Sequence, residues 1–293
     1  MKLRLTSLFL GGAILLVSPQ LAVSQTDGLR VPKTIEAGAA FSIQTVGSGN
    51  ATLYIVGLGQ VLRREVRLGE PASFAPGDLH NAGHYLVLLV AGSSTENGAF
   101  DVTAANQPSS LSFLARPSRV PVDLHEGISG VVYVFDTFQN LILAPKPASF
   151  QLSGVAGAPQ ARTVLTHNGV AWTKMDSASK EGAAQFVARV GGAVDTRVIT
   201  QVPGDPCNLR ITARPSGRTL LLETDPLRDC SGNAVPDGTI VTFTENYDGD
   251  EATVDVPIKR GIARTEMPAH KGATISVATG VVMGNEIRWG GGL

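Results

Sequence analysis

The sequence predicts an all-β protein made of three tandem β-sandwich domains that follow a cleaved signal peptide. Two observations lead to this prediction: the second half of the chain repeats itself over a domain-sized length, and short apolar runs alternate with turn residues throughout. The composition agrees, since the 293 residues include 33 glycines and 17 prolines, while only 17% are charged and 5% aromatic. Such a mixture favours short strands and tight turns over long helices.

The N-terminus has the pattern of a secretory signal. Lys2 and Arg4 supply the positive charge, residues 5–17 form the apolar stretch, and residues 22–24 (Ala-Val-Ser) fit the small-x-small cleavage pattern. An uncleaved anchor is the alternative, but the apolar stretch is short and is followed by a Ser-Pro pair. We therefore predict a signal peptide over 1–24, no membrane span in the mature chain, and export to the cell surface, the periplasm or the medium.

The internal repeat defines the domains. Three landmarks recur in the same order: residues 115–118 (Ala-Arg-Pro-Ser) as 213–216, Asp136 and Asn140 as Asp229 and Asn233, and residues 169–171 as 261–263. A repeat of roughly 95 residues is the size of a small domain and exceeds a solenoid unit. We predict domains over 25–106, 107–204 and 205–293, the first being the most divergent.

Strand patterns fill all three units. Apolar, β-branched or alternating runs predict strands at 51–56, 83–90, 131–135, 148–152, 185–190, 197–202, 239–244 and 252–256. Residues 177–190 contain helix formers, but the repeated copy from 272 onward is a clear strand pattern, so a strand is predicted. About seven short strands per unit indicate an immunoglobulin-like sandwich, in which Tyr85 has the position of a tyrosine corner.

One segment resembles a known family. Residues 232–244 (Gly-Asn-Ala-Val-Pro-Asp-Gly-Thr-Ile-Val-Thr-Phe-Thr), followed by the Gly-Ile-Ala at 261–263, are similar to the bacterial Ig-like domains of the invasin/intimin type. The second unit has a weaker version at 136–140 and 169–171. The resemblance implies surface-exposed or periplasmic stalks and adhesin segments, usually without enzymatic activity.

The two cysteines, Cys207 and Cys230, are expected to form a disulfide, because exported proteins fold in oxidising compartments. The second unit has Ser109 and Thr137 at the matching positions, so the fold does not depend on the bridge. We interpret it as a local staple of about 3 kcal/mol between the first strand and a neighbouring loop. A redox or metal site is the alternative, but no C-x-x-C motif or histidine cluster accompanies the pair.

No catalytic, cofactor-binding or metal-ligating residue is predicted. The five histidines are scattered, and Gly83 argues against a helix that would align His80 with His84. Asp248 and Asp250, with the adjacent glutamate, could attract calcium, although a solvated hairpin tip explains them better. The repeated Asp-x-x-x-Asn segments are interpreted as structural turns in which the side chains bind their own backbone, with a functional role as the alternative.

Trp172 is the first candidate interaction residue. Arg264 occupies its place in the last unit, so Trp172 should face outward or lie between domains, as a domain-interface plug or, less favoured, a glycan-stacking platform. Tyr247 is a second possible glycan contact, and with Asp248 and Asp250 it completes the set of candidate interaction residues.

The sequence predicts an exported, non-catalytic structural or binding protein, acting as a cell-surface or periplasmic spacer or an adhesin-like module. The expected partner is a protein or a glycan at the cell envelope, and not nucleic acid, because no basic stripe is present. Short proline-containing joints at 106–108 and 203–206 favour a stiff rod. The alternatives are an accessory subunit whose exposed strand edge pairs with a partner chain, and a carbohydrate-binding module.

Overall fold

The computed structural model describes residues 28–154, 157–268 and 270–290. These residues form 24 strands and no helix, which confirms the predicted all-β class; accordingly, they contain no helix able to span a membrane. The strands build six sheets, which form three pairs along the chain. The chain divides after Thr103 into two compact units, 1–103 with one pair and 104–293 with two pairs. The predicted signal peptide, 1–24, lies outside the described residues, and the domain boundaries stay predictions.

The first unit is a sandwich of a three-stranded and a five-stranded sheet, in the orders β1-β3-β6 and β2-β8-β7-β4-β5. Its strands are β1 (Leu29–Arg30), β2 (Thr34–Glu36), β3 (Phe41–Thr45), β4 (Asn50–Gly57), β5 (Gln60–Arg67), β6 (Ala72–Phe74), β7 (Gly83–Ala91) and β8 (Ser94–Thr103). Tyr85 is fully buried, and its hydroxyl donates to the carbonyl oxygen of Asn81 at 3.0 Å. This contact is the predicted tyrosine corner, a hallmark of immunoglobulin-like sandwiches.

The second pair of sheets, here called the middle sandwich, has the orders β14-β11-β9 and β10-β16-β15-β12-β13. Its strands are β9 (Ser110–Arg116), β10 (Arg119–Pro121), β11 (Ile128–Phe135), β12 (Pro147–Ser153), β13 (Gln160–Leu165), β14 (Val170–Met175), β15 (Gly182–Val190) and β16 (Ala193–Val202). The chain passes from one sheet to the other between β9 and β10, and β10 runs parallel to β16. Alternate residues of each strand point inward, so Phe113, Phe150 and Phe186 meet in the core.

The third pair, the last sandwich, has the orders β17-β18-β21 and β20-β19-β22-β23, with β24 also on β22. Its strands are β17 (Ile211–Ser216), β18 (Thr219–Thr224), β19 (Ile240–Tyr247), β20 (Asp250–Pro257), β21 (Arg264–Pro268), β22 (Thr274–Thr279), β23 (Val282–Met283) and β24 (Ile287–Arg288). The repeated landmarks take equivalent places in both sandwiches. Phe150 and Phe243, for example, are both fully buried on the strand after the Asp-x-x-x-Asn corner.

The eight strands predicted by pattern are all present, including β15 in the segment with helix-forming composition. The helix-forming residues do not produce a helix here. Residues 177–181 form the connection into β15, and β15 itself pairs with β12 on one side and β16 on the other. Tertiary pairing thus overrides local propensity, as the repeat predicted.

Candidate interaction groove and linker clasps

Each of the two repeated aspartates organises a corner of its sandwich. Asp229 is 5% exposed, and its Oδ1 accepts hydrogen bonds from the N–H groups of Ser231 at 3.0 Å and Asn233 at 2.8 Å. Its Oδ2 accepts from the side-chain amide of Asn233 at 2.9 Å and from the N–H of Gly204 at 3.1 Å. Because Gly204 lies in the segment that leads into β17, the corner also holds the incoming chain.

The middle sandwich repeats this arrangement. Asp136 is fully buried, and its Oδ1 accepts from the N–H groups of Phe138 and Asn140 at 2.9 and 2.8 Å. Its Oδ2 accepts from the amide of Asn140 at 2.9 Å and from the N–H of Ala105 at 2.8 Å, in the segment that leads into β9. We call each such Asp–Asn corner, with the incoming N–H, a linker clasp. The predicted structural turn is confirmed, and the bond to the incoming segment is an addition that the sequence did not reveal.

Electrostatics stabilise the ionised form of Asp229. Burial alone raises the pKa of this carboxyl group, but the hydrogen bonds from Asn233, Gly204 and Ser231 outweigh burial and hold the pKa below its ordinary value. Hydrogen bonds to a charged acceptor are about twice as strong as neutral ones. The clasp therefore works with a carboxylate at neutral pH.

The disulfide reinforces the clasp of the last sandwich. Cys207 and Cys230 are bonded, with 5.0 Å between their Cα atoms, and Cys230 follows Asp229 directly. The N–H of Cys207 also donates to the carbonyl oxygen of Arg228 at 2.9 Å. The predicted pairing is confirmed, and it ties the segment that contains Gly204 to the same corner as the aspartate.

Two further bonds join the middle sandwich to the last one. The side-chain amide of Asn233 donates to the carbonyl oxygen of Ser179 at 2.9 Å, and Lys180 Nζ donates to the carbonyl oxygen of Ser231 at 3.1 Å. Ser179 and Lys180 both lie in the connection between β14 and β15 of the middle sandwich. The corner of the last sandwich thus contacts the joint segment and the neighbouring sandwich together.

A groove of about 470 Å³ runs between β13 and β14, where one edge of each sheet of the middle sandwich comes close to the other. Its apolar walls include Val164, Leu165 and Trp172, while Arg162 and Lys174 contribute charge. Trp172 is 65% exposed. This exposure agrees with the outward orientation predicted for Trp172, while its interpretation as a domain-interface plug or a glycan-stacking platform stays a prediction.

Trp172 belongs to an apolar row across the outer face of this sheet. It lies opposite Val131 on β11, which in turn lies opposite Leu114 on β9. The matching row of the last sandwich is Arg264, Glu223 and Thr212, in which Arg264 forms a 2.6 Å ion pair with Glu223. Since both sandwiches have the same fold, the apolar row is not needed for folding.

The groove also recurs with different chemistry. The last sandwich has a concavity of about 400 Å³ in the same place, lined by Lys259, Arg260 and Arg264. The middle sandwich has His167 where the last has Lys259, and Trp172 where the last has Arg264. The groove of the middle sandwich therefore combines an aromatic residue with two cations, whereas the matching groove of the last sandwich has three cations and arginine in place of the tryptophan.

The structure separates the other candidate residues from this groove. Tyr247 and Asp250 pair at the end of the β19–β20 hairpin, with Asp248 in the turn at a φ of 54°. This position is the hairpin tip favoured by the sequence. Tyr247 stacks on His270, with the ring centroids 4.6 Å apart. Within the described ranges no cluster of three or more His, Cys, Asp or Glu side chains could hold a metal ion.

The sequence analysis did not identify Glu245. This side chain is 3% exposed, and its Oε1 lies at a hydrogen-bonding distance of 3.0 Å from Nδ1 of His270. It continues the inward-facing series of β19 after Val241 and Phe243, so period-two alternation could have identified it. The matching residue of the middle sandwich is Leu152, which is buried in the core. A buried carboxylate there is a feature of the last sandwich alone among these two copies.

Comparisons with known proteins give structural likenesses only. No family model and no curated protein sequence matches the chain. Among solved structures, the FN1–FN3 domains of chicken CNTN1 match with 11% identity and a TM-score of 0.38, covering 89% of this chain and 96% of that one. Invasin, a bacterial integrin-binding protein, matches with 11% identity and a TM-score of 0.43, covering 87% of this chain and 57% of that one. A 1.5-MDa bacterial ice-binding adhesin matches with 13% identity and a TM-score of 0.30, covering 87% and 90%.

Proposed function

We propose that this chain is an exported, non-catalytic Ig-like protein that acts as a spacer and presents contact surfaces at a fixed distance from its attachment point at the cell envelope. The proposal includes the predicted domains, 25–106, 107–204 and 205–293, and kinship of the second and third with the invasin/intimin type. The disulfide fits an oxidising compartment outside the cytoplasm.

The observation that carries the proposal is the linker clasp. A flexible joint needs no buried carboxylate, yet Asp136 and Asp229 each bind the backbone of the segment that leads into their sandwich. At the second joint the disulfide and the bonds of Asn233 and Lys180 add to this restraint. Each added bond removes freedom from the joint, which suits a protein whose role is to hold surfaces apart.

The joint between the middle and last sandwiches can be tested by electron paramagnetic resonance. Spin labels at Thr163 and Thr253, both exposed on edge strands, report the distance between the two sandwiches. We expect a single narrow distance distribution that Asn233→Ala broadens, because this variant removes the bond to Ser179. A broad distribution in the unmodified protein would contradict the spacer proposal.

Export is tested separately by treating intact cells of the source bacterium with protease and detecting released peptides of this chain. Release without lysis places the protein on the surface, and release only after the outer membrane is opened places it in the periplasm. Protection in both conditions, with none of the chain in the medium, would contradict export.

A further inference from the structure

The groove between β13 and β14 has the features of a docking site for another chain. We infer that it binds an extended segment of a partner protein, with apolar residues at alternate positions and an acidic residue among them. This segment would add to β14 as a fourth strand of the three-stranded sheet. The inference goes beyond the spacer function, because a spacer needs no such site.

The first support is the hydrogen-bonding state of β14. Among the described residues β14 pairs with β11 alone, so one of its edges is open. The N–H of Val134 donates to the carbonyl oxygen of Gly169 at 3.0 Å, so the backbone groups of Gly169 point toward β11. In an antiparallel strand, successive residues direct their backbone N–H and C=O groups to opposite sides. The backbone groups of Val170, Trp172, Lys174 and Asp176 therefore point to the open edge.

The chain itself satisfies both ends of this edge. Val170 exchanges backbone hydrogen bonds with His167, at 2.8 and 3.1 Å. At the other end the side-chain amide of Gln160 donates to the carbonyl oxygen of Asp176 at 2.9 Å and accepts from its N–H at 3.1 Å. Gln160 thus imitates the peptide group of a neighbouring strand. Between these two ends lie the backbone groups of Trp172 and Lys174. Of these, the carbonyl oxygen of Lys174 accepts a long hydrogen bond of 3.5 Å from the Thr173 hydroxyl, and an added strand could bond to the others.

The second support is the chemistry of the walls. Side chains of an added strand point alternately to the two faces of the sheet, so every second residue would meet Val164 and Leu165 or lie beside Trp172. Among the residues that line the groove, Arg162 and Lys174 are cations and Glu126 is the one carboxylate, with its Oε2 3.4 Å from Lys174 Nζ. Asp176, next to this lining, interacts electrostatically with Arg162. The lining itself has one cation more than carboxylates, which favours an acidic side chain in the partner.

The third support is that the edge strands β5, β20 and β21 are protected and β14 is not; β13, on the other side of the groove, also has a single charge, Arg162. Charge or proline on an exposed edge prevents unwanted pairing. β21 has two charges and ends at a proline, β5 has three arginines, and β20 has three acidic residues and a terminal proline. In contrast, β14 has a single charge, Lys174, and exposes a tryptophan. An unprotected apolar edge on an exported protein is explained if a partner covers it.

The experiment tethers a probe peptide, so that low affinity cannot hide binding. Both native cysteines are bonded, so Leu165→Cys adds a single free thiol at the groove wall. The probe is a nine-residue peptide of alternating valine and threonine, with one central glutamate and a C-terminal cysteine. Its mixed disulfide gives an effective concentration of about millimolar. Amide hydrogen exchange at Trp172 and Lys174 is then measured by NMR.

We expect the tethered probe to slow exchange at Trp172 and Lys174 about tenfold or more, while the ladder amides of β14 are unchanged. A probe with proline at alternate positions cannot pair and should give no slowing. Pro257→Cys, at the matching place in the last sandwich, is the control for tethering itself and should give no slowing at Arg264. Adding Trp172→Arg to Leu165→Cys should remove most of the effect.

Three results would overturn the inference: no slowing at Trp172 and Lys174, equal slowing with the proline probe, or equal slowing in the Pro257→Cys control. Loss of slowing in a variant counts only if its circular dichroism spectrum matches that of the unmodified protein. Binding of the unmodified protein to soluble cellulose or chitin oligosaccharides, lost in Trp172→Ala, together with no slowing by the probe, would identify the groove as a glycan site instead. The spacer function is independent of all these outcomes, since the distance measurement tests it separately.

Discussion

Replacing Asp229 with alanine should destabilise the last sandwich selectively. The carboxylate accepts bonds from three backbone N–H groups and from the side-chain amide of Asn233. A hydrogen bond to a charged group contributes about 1.5–3 kcal/mol to the free energy of unfolding, and leaving a buried donor without a partner costs a similar free energy. Water can replace the carboxylate at the donors that are only partly buried. We therefore expect a net loss of about 3 kcal/mol, most of it at Asn233, the most buried donor.

The two tryptophans make this effect measurable in one sandwich at a time. Trp289 packs against the core of the last sandwich, whereas Trp172 lies on the middle one. In a Trp172→Phe background, urea unfolding followed by fluorescence reports the last sandwich. With a slope of about 1.5 kcal/mol per molar urea for a small domain, the midpoint should fall by about 2 M in Asp229→Ala.

The matched control is Asp136→Ala, which removes the equivalent clasp from the middle sandwich. It should shift the Trp289 transition far less than Asp229→Ala does. An unchanged midpoint in Asp229→Ala, or equal shifts from both variants, would refute the role assigned to the clasp of the last sandwich.

The same carboxylate predicts a pH dependence. Its pKa in the folded state is depressed, because the hydrogen bonds outweigh burial, so the unfolded state binds the proton more readily. Its contribution to stability is therefore fully present above the ordinary pKa of about 3.9 and is lost as the pH falls through the lower folded-state pKa. The urea midpoint of the last sandwich should decrease below about pH 4, and Asp229→Ala should weaken that decrease. A decrease of the same size in the variant would contradict this assignment.

Three further predictions concern single contacts. Replacing Cys207 and Cys230 by serine should lower the stability of the last sandwich by about 3 kcal/mol without changing its circular dichroism spectrum; loss of the folded spectrum would contradict the local-staple interpretation. Tyr85→Phe removes one hydrogen bond and should lower the stability of the first sandwich by about 1 kcal/mol, as measured by hydrogen exchange of its core amides. Unchanged exchange would argue against a stabilising corner. Glu245→Leu, which introduces the residue type of Leu152, should leave the last sandwich as stable or up to about 3 kcal/mol more stable, since it removes a buried polar side chain while its partner His270 is 47% exposed and can bond to water; a lower urea midpoint would show that the Glu245 side chain stabilises the fold.

The sequence predicted the fold well because the relevant signals are local or repeated. Runs of β-branched residues mark the strands. The strand pattern of the repeated copy from 272 onward correctly predicted a strand within 177–190, despite the helix-forming composition of that segment. Tyr85 was identified for the same reason, since its place at the start of a strand is a local pattern, and its bond to Asn81 follows from that place.

The site was predicted only in part, because its contacts depend on distances that a linear pattern does not contain. Comparing Trp172 with Arg264 correctly indicated an outward position. The groove beside it exists only because β13 and β14, which belong to different sheets, end up next to each other. Likewise, the turn at Asp229 was predictable, but its bond to Gly204 depends on how the incoming segment crosses the corner.

The two related sandwiches differ in an informative way. Both keep the linker clasp, down to the same acceptor oxygens and the same pair of backbone donors. Their grooves, in contrast, have kept the position and changed the chemistry, from Trp172 in one to Arg264 in the other. A feature that stays constant while the surfaces around it diverge serves the architecture that both copies need. The surface that diverges, and in the middle sandwich leaves an apolar edge open to solvent, is where each copy can acquire a partner of its own.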